Sequence, residues 1–90
     1  MFYSNYPSLD LHGENRDTSR ILVDEFIKDN YKLGNYKVII VHGIGSGIVK
    51  EAVHIALKNN KLVKSYKVDN FNIGCTIVDI DNNIDFLEKK

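Results

Sequence analysis

The chain has 90 residues, with 12 basic and 12 acidic side chains, 43% hydrophobic and 27% charged residues, and a single cysteine. This length allows one domain, and the composition is that of a folded soluble protein rather than a disordered one. The longest apolar run, residues 38–41, is far shorter than the about 20 residues that a transmembrane helix needs. The N-terminus resembles no signal peptide, and Cys75 cannot form an internal disulfide. The sequence therefore predicts a cytoplasmic protein with no membrane partner.

The charges are unevenly distributed along the chain. Residues 1–36 carry four basic and six acidic side chains, residues 37–67 carry six Lys and one Glu, and residues 68–90 carry two Lys and five acidic side chains. The middle segment therefore has a formal charge of +5, between segments of −2 and −3. A basic segment suits a phosphate-bearing partner, although the same Lys could simply solvate the ends of a helix and a strand.

The first half of the chain predicts a strand, a helix and a second strand. Residues 8–12 alternate apolar and polar side chains, as is typical of a strand, and Gly13 ends it. Residues 14–33 have helical periodicity and are followed by Gly34 at the usual C-terminal position; the candidate N-caps are Asn15, Asp17 and Thr18. The apolar stripe of this helix consists of Leu22, Val23, Phe26, Ile27 and Leu33. Four consecutive β-branched residues at 38–41 predict a central strand, 37–42, buried on both faces.

The second half predicts a helix and two further strands. The helix begins at 47 or 48 and ends near 59, with an apolar stripe of Ile48, Val49, Ala52, Val53, Ala56 and Leu57. His54 lies on the far side of that stripe, so we expect it to face solvent. Strands are predicted at 62–68 and 75–80, and the short link between them indicates a hairpin.

These elements predict an α/β fold of order β-α-β-α-β-β. Strands separated by helices imply parallel crossovers, so the expected architecture is a two-layer α/β sandwich with a mixed four-stranded sheet. We expect residues 1–90 to form a single domain with a core at about 7–80, an N-terminal arm at 1–6 and a C-terminal extension at 81–90.

Two histidines follow the first two predicted strands. If these strands pair in parallel, His12 and His42 lie at the same edge of the sheet. In open α/β sheets, ligands bind at this edge, outside the carboxyl ends of the strands. Asp10 lies two residues before His12, so both side chains share one strand face, and the carboxylate can orient the imidazole as an acid or base. The pair could equally be a polar strand end without catalysis. A metal site formed by these three side chains lacks the usual tight ligand spacing, so no metal site is predicted.

A glycine-rich turn at 43–47 precedes the second helix. Alternate glycines permit close backbone approach, and a helix N-terminus offers unpaired N–H groups, so the turn could hold a phosphate through Gly43, Gly45, Ser46 and Gly47. Lys50, one turn into the helix, adds a charge. Tight packing alone could also explain the turn, and its spacing matches neither the dinucleotide fingerprint nor the P-loop. Cys75 is interpreted as a small core residue.

Together these motifs resemble the Smr (small MutS-related) domain family. LDLHG at 9–13 and HGIGSG at 42–47 match the family's LDLHG and HGxGxG motifs, about 30 residues apart. The start of the second helix, 49–53, and the strand at 74–78 fit its remaining pattern, so that the resemblance covers roughly 7–80.

The resemblance implies a fold similar to the C-terminal domain of translation initiation factor three. It also implies nicking or cleavage of DNA or RNA, in DNA repair or recombination or on stalled ribosomes, with nucleic acid as the partner and the ribosome as a further candidate. Asp10 and His12 would belong to the catalytic strand. His42 would form the backbone-binding loop with Gly43, Gly45 and Gly47, and would serve either as a second catalytic acid or base or as a binding residue. No cofactor is certain, but a divalent cation such as Mg²⁺ or Mn²⁺ would be expected if DNA is cleaved. Ile44 departs from the family, in which many members have Lys or Arg there.

Three functions are therefore compatible with the sequence. The leading one is a nucleic-acid endonuclease. The second is a non-catalytic module that binds nucleic acid or ribosomes, and the third is a binder of small phosphates or nucleotides.

Overall fold

The computed structural model describes residues 5–81, so most of the predicted N-terminal arm and C-terminal extension lies outside the described residues. Its elements follow the predicted order: β1 (Ser8–Asp10), α1 (Arg16–Leu33), β2 (Lys37–Val41), α2 (Ile48–Lys58), β3 (Val63–Val68) and β4 (Cys75–Ile80). The first strand and both helices are one or two residues shorter than expected. Neither helix within residues 5–81 has the length and apolar character of a membrane span.

The four strands form one mixed sheet in the order β1-β2-β4-β3. β1 and β2 run parallel, whereas β4 runs antiparallel to both β2 and β3. The predicted mixed four-stranded sheet and the β3–β4 hairpin are therefore confirmed. Because β1 and β2 are parallel neighbours, their carboxyl ends meet at one edge of the sheet.

The core lies between the sheet and the two helices. In β2, Val38, Ile39 and Ile40 are at most 1% exposed, which confirms the prediction of a central strand. Val23 and Ile27 of α1 pack with residues of β2, α2 and β4, including Val38, Ile40, Val53, Leu57 and Val78. These contacts remove apolar surface from water and hold both helices against the sheet.

The ends of α1 follow the predicted capping chemistry. Asn15 is the N-cap, and its side chain accepts a hydrogen bond of 2.8 Å from the Thr18 backbone. Gly34, with φ of 83°, ends the helix in the left-handed conformation. The placement of Leu33 in the apolar stripe is wrong, since it is 75% exposed. The turn at Gly34 instead folds back onto Asn30, whose side chain is buried and bonded to Asn35.

Candidate active site

Asp10 and His12 form a hydrogen-bonded pair at the end of β1. Oδ1 of Asp10 lies 2.7 Å from Nδ1 of His12 and 3.1 Å from its backbone nitrogen, so both N–H groups donate to the same oxygen. The side chains of His12 and Asp10 are 73% and 59% exposed. Their hydrogen bond raises the pKa of His12 and lowers the pKa of Asp10. Because the carboxylate holds Nδ1, Nε2 is the imidazole nitrogen left to exchange a proton with a ligand.

The loop after β2 lies directly beside this pair. The Leu11 backbone donates to the Val41 carbonyl at 2.7 Å, and a methyl group placed on Gly43 would come within 3.4 Å of the His12 Cβ. The predicted convergence of the two strand ends is therefore confirmed. Residues 12–18 and 42–50 line an open cavity of about 860 Å³ at this edge.

The glycine loop, residues 43–47, contributes backbone groups to this cavity. The Gly43 amide donates at 3.0 Å to the carbonyl of Gly74, which anchors the start of the loop to the turn before β4. Gly43 itself has a φ of 85°, a conformation that favours glycine. Within residues 5–81, no hydrogen-bond partner is present for the backbone amides of Gly45, Ser46 and Gly47.

The N-terminus of α2 is also open to the cavity. Its N-cap is Gly47, with a φ of 89° and no side chain to accept from the first helical amides. The Ser46 hydroxyl approaches the Ile48 nitrogen only to 3.4 Å, which is longer than a usual hydrogen bond. Lys50 lines the same cavity one turn further on. Free N–H groups at a helix start, together with a cation, favour the binding of an anion such as phosphate.

His42 differs from His12 because its ring is buried, with only 4% exposure. Nδ1 lies 2.9 Å from the Gly43 carbonyl, and Nε2 lies 2.8 Å from Oγ1 of Thr76. A carbonyl can only accept, so in the neutral ring Nδ1–H donates to Gly43 and Nε2 accepts from the Thr76 hydroxyl. Burial lowers the pKa of His42 and favours this neutral form. His42 thus supports the glycine loop, and its acid–base role stays a prediction.

The prediction that His54 faces solvent is wrong. The ring is half-buried, its Nε2 lies 2.8 Å from Oγ1 of Thr76, and it packs against Tyr66 with ring centroids 5.2 Å apart. Since the only hydroxyl hydrogen of Thr76 goes to His42, Nε2–H of His54 donates to the Thr76 oxygen. The helical stripe missed this contact because β3 and β4 also pack against the polar flank of α2. A continuous chain of hydrogen bonds therefore runs from α2 through Thr76 to the glycine loop.

Only one basic residue of the middle segment lines the cavity. Among its six Lys, Lys50 lines the cavity, whereas Lys37 pairs with Asp79 at 2.9 Å. Arg16, which belongs to the acidic first third of the chain, lines the cavity instead. The charge of the middle segment therefore did not predict the cations of the cavity, and it could not have revealed Arg16.

The described residues do not bring a conventional set of metal ligands together. Among residues 5–81, no group of three His, Cys, Asp or Glu side chains is placed to hold an ion. Asp10 and His12 offer two donors, while both ring nitrogens of His42 are bonded to protein atoms. Cys75 is 3% exposed and burial raises its pKa, which confirms its interpretation as a core residue.

Comparison with known proteins identifies the family. The family model of the Smr domain matches residues 9–81. The chain belongs to the Smr domain family. This Smr domain is 41% identical over 68 residues to endonuclease MutS2 of Lachnoclostridium phytofermentans, across 76% of the chain and 8% of that protein. It is 35% identical over 77 residues to endonuclease MutS2 of Halothermothrix orenii, across 82% of the chain and 10% of that protein. The chain thus spans about a tenth of the length of these curated relatives.

Solved Smr structures share the fold of this Smr domain. The Smr domain of Thermus thermophilus MutS2 superposes with a TM-score of 0.80 at 26% identity, covering 83% of this chain and 98% of that one. YdaL of Escherichia coli, a stand-alone small MutS-related protein, superposes with a TM-score of 0.78 at 25% identity, covering 89% of this chain and 70% of that one. The fold predicted from the sequence is therefore that of the Smr domain.

Proposed function

We propose that this Smr domain binds a nucleic-acid strand and cleaves its phosphodiester backbone. The observation that carries the proposal is the exposed Asp10–His12 pair, which lies against a glycine loop with unpartnered backbone amides. This arrangement combines a group that can move a proton with a group that can hold a phosphate. The endonuclease relatives support the same activity.

In this mechanism the amides of Gly45, Ser46 and Gly47 and the start of α2 hold the phosphate, and Lys50 adds a full charge. His12 acts through Nε2, while Asp10 fixes the ring and stabilises its protonated form. His42 holds the Gly43 carbonyl, and through it the loop, in position.

The identity of the nucleophile depends on the substrate. In RNA, Nε2 of His12 would take the proton from a 2′-OH, whose oxygen attacks the phosphorus to form a 2′,3′-cyclic phosphate as the bond to the 5′-oxygen breaks. The leaving 5′-oxygen would take a proton from water. In DNA, water must attack, and a divalent cation would supply charge stabilisation at the phosphate. The Asp10 carboxylate, beside His12, would be one protein ligand available to such an ion.

A cleavage assay on supercoiled DNA and on structured RNA tests the proposal. We expect His12→Ala and Asp10→Ala to slow cleavage, the former by about 10²- to 10⁴-fold if it removes a general acid or base. Asp29→Ala, which removes an exposed carboxylate further along α1, serves as the matched control. Undiminished cleavage by both site variants would remove the catalytic role of the pair.

The second candidate function is a non-catalytic module that binds nucleic acid or ribosomes, which the open helix start and loop amides support equally. Binding without cleavage under every metal and pH condition would favour this alternative. Roles in DNA repair or on stalled ribosomes are distinguished by what the protein co-purifies with and protects: DNA fragments, mRNA or ribosomal subunits.

A further inference from the structure

A second basic groove opens from the cavity of the candidate site. It lies between α1 and α2, has a volume of about 350 Å³, and is lined by Arg16, Arg20, Ile48, Glu51, Ala52 and Ile55. Arg16 and Ile48 belong both to this groove and to the cavity that holds His12 and the glycine loop. The two depressions therefore form one continuous surface.

The two arginines of the groove carry uncompensated charge. Neither Arg16 nor Arg20 makes an ion pair within 4.0 Å among residues 5–81, although Glu51 lines the same groove. Both side chains are exposed. Within the groove, two guanidinium groups against one carboxylate leave a net positive charge, whereas the adjoining cavity is lined by Glu14 and Asp17 as well as by Lys50.

The spacing of these arginines matches a chain of phosphates rather than a single anion. Residues four apart lie on one helix face, separated by about 6 Å along the axis. A guanidinium group presents a planar fork of donors that binds a phosphate through two hydrogen bonds. Two such forks in a row, following a phosphate on the glycine loop, can contact successive phosphates of one strand.

We propose that Arg16 and Arg20 bind the phosphates next to the one on the glycine loop, so that the substrate strand runs along the groove between α1 and α2. This inference rests on the proposed function and adds the path of the strand. It also assigns to α1 a cation for the strand, since the glycine loop itself has no basic residue. Glu51 opposes the strand and weakens its binding.

The opposite path across the same edge has weaker support. It would cross Ile44 and the β3–β4 turn, where Phe71 is 91% exposed and could stack on a base. However, residues 69–74 contain Asp69 and no basic residue. The phosphate backbone dominates nucleic-acid affinity, so the charge favours the α1–α2 groove.

Salt-dependent binding of the full chain to fluorescein-labelled oligo(dT) and oligo(U) of 20 nucleotides tests the inference. For single strands, each lost phosphate contact reduces the slope of log affinity against log salt by about 0.7. We expect this reduction for Arg16→Gln and for Arg20→Gln, and about twice that for the double variant, with weaker binding of both oligonucleotides. Glu51→Gln should tighten binding. Lys28→Gln, on the same helix but remote from the groove, is the matched control and should leave the slope unchanged.

Each other outcome overturns the inference in a recognisable way. If the wild type binds but folded Arg16 and Arg20 variants keep its slope, the strand does not follow the groove, while the proposed cleavage by His12 stands. Weaker binding by Phe71→Ala with unchanged Arg variants would place the strand on the opposite path. If inorganic phosphate displaces the labelled oligonucleotide as well as unlabelled oligonucleotide does at the same total phosphate concentration, the protein binds isolated anions rather than a strand. Absence of oligonucleotide binding by the wild type would overturn the inference, whereas the proposed function is decided separately by cleavage of supercoiled DNA and structured RNA.

Discussion

Replacing Thr76 with Val tests the buried hydrogen-bond chain that supports the glycine loop. Val has nearly the same shape as Thr but no hydroxyl, so the substitution leaves Nε2 of His42 without a donor and Nε2–H of His54 without an acceptor. Thr76 is 0% exposed and His42 is 4% exposed, so water cannot easily replace the lost bond to His42. An unsatisfied buried polar group costs about 1–3 kcal/mol. His54 is only half-buried and can be hydrated, so we expect a total loss of about 2 kcal/mol in the free energy of unfolding.

The assay is thermal and urea unfolding followed by circular dichroism. For a domain of this size, a loss of about 2 kcal/mol corresponds to a fall of roughly 8–16 °C in Tm. Thr76→Ser is the matched control, because it keeps the hydroxyl and loses one buried methyl group, worth about 1 kcal/mol. We therefore expect Thr76→Val to be the less stable variant and to cleave more slowly. If Thr76→Val is as stable as the wild type, or more stable than Thr76→Ser, the hydrogen-bond chain does not support the fold.

Three further predictions concern the same edge of the sheet. Asp10→Asn removes the carboxylate that raises the pKa of His12, so the limb of the pH–rate profile assigned to His12 should move to lower pH. If the limb does not move, Asp10 does not tune the protonation of the catalytic group. Burial lowers the pKa of His54 from 6.5, so the unfolded chain takes up a proton first and stability falls as the pH drops below 6.5. His54→Gln, which keeps a donor for Thr76 without titrating, should weaken this pH dependence in urea unfolding at pH 5–7 and leave the part that buried His42 contributes. An equal dependence in both proteins would contradict the prediction. In chemical denaturation, Gly43→Ala should lower the free energy of unfolding by about 1–2 kcal/mol, because the φ of Gly43 is 85°. Gly45→Ala should change this free energy by less than about 0.5 kcal/mol, because the added methyl group meets no atom within 4 Å.

Local patterns predicted the elements of this fold well, because each pattern reports a local physical requirement. The β-branched run of β2 needs burial on both faces, and Gly34 is needed where the chain turns left-handed after α1. The position of β4 between β2 and β3 was not predictable in this way. The short link after β3 specifies one neighbour of β4, whereas the other depends on how the whole sheet assembles.

The candidate site was predictable in part. Asp10 and His12 are only two residues apart, so their contact is local, although the turn after β1 rather than the strand itself brings both N–H groups of His12 onto the Asp10 carboxylate. The surroundings of His42 were not predictable, since the alternation of a strand no longer fixes side-chain direction once pairing ends. Its partner Thr76 lies 34 residues away, and His54 meets the same hydroxyl from 22 residues away. Such contacts between distant segments leave no periodic signal in the sequence.

The glycine that begins α2 leaves the free protein less stable than a capped helix start would make it. A Ser, Thr or Asp cap contributes about 1 kcal/mol, but the φ of 89° at Gly47 disfavours any of them. An anion bound to these amides would accept the hydrogen bonds that a capping side chain normally accepts. A ligand at a hundred times its Kd raises the free energy of unfolding by about 2.7 kcal/mol. Melting temperature can consequently serve as a readout of ligand preference, ranking DNA, RNA and simple anions without any need for turnover.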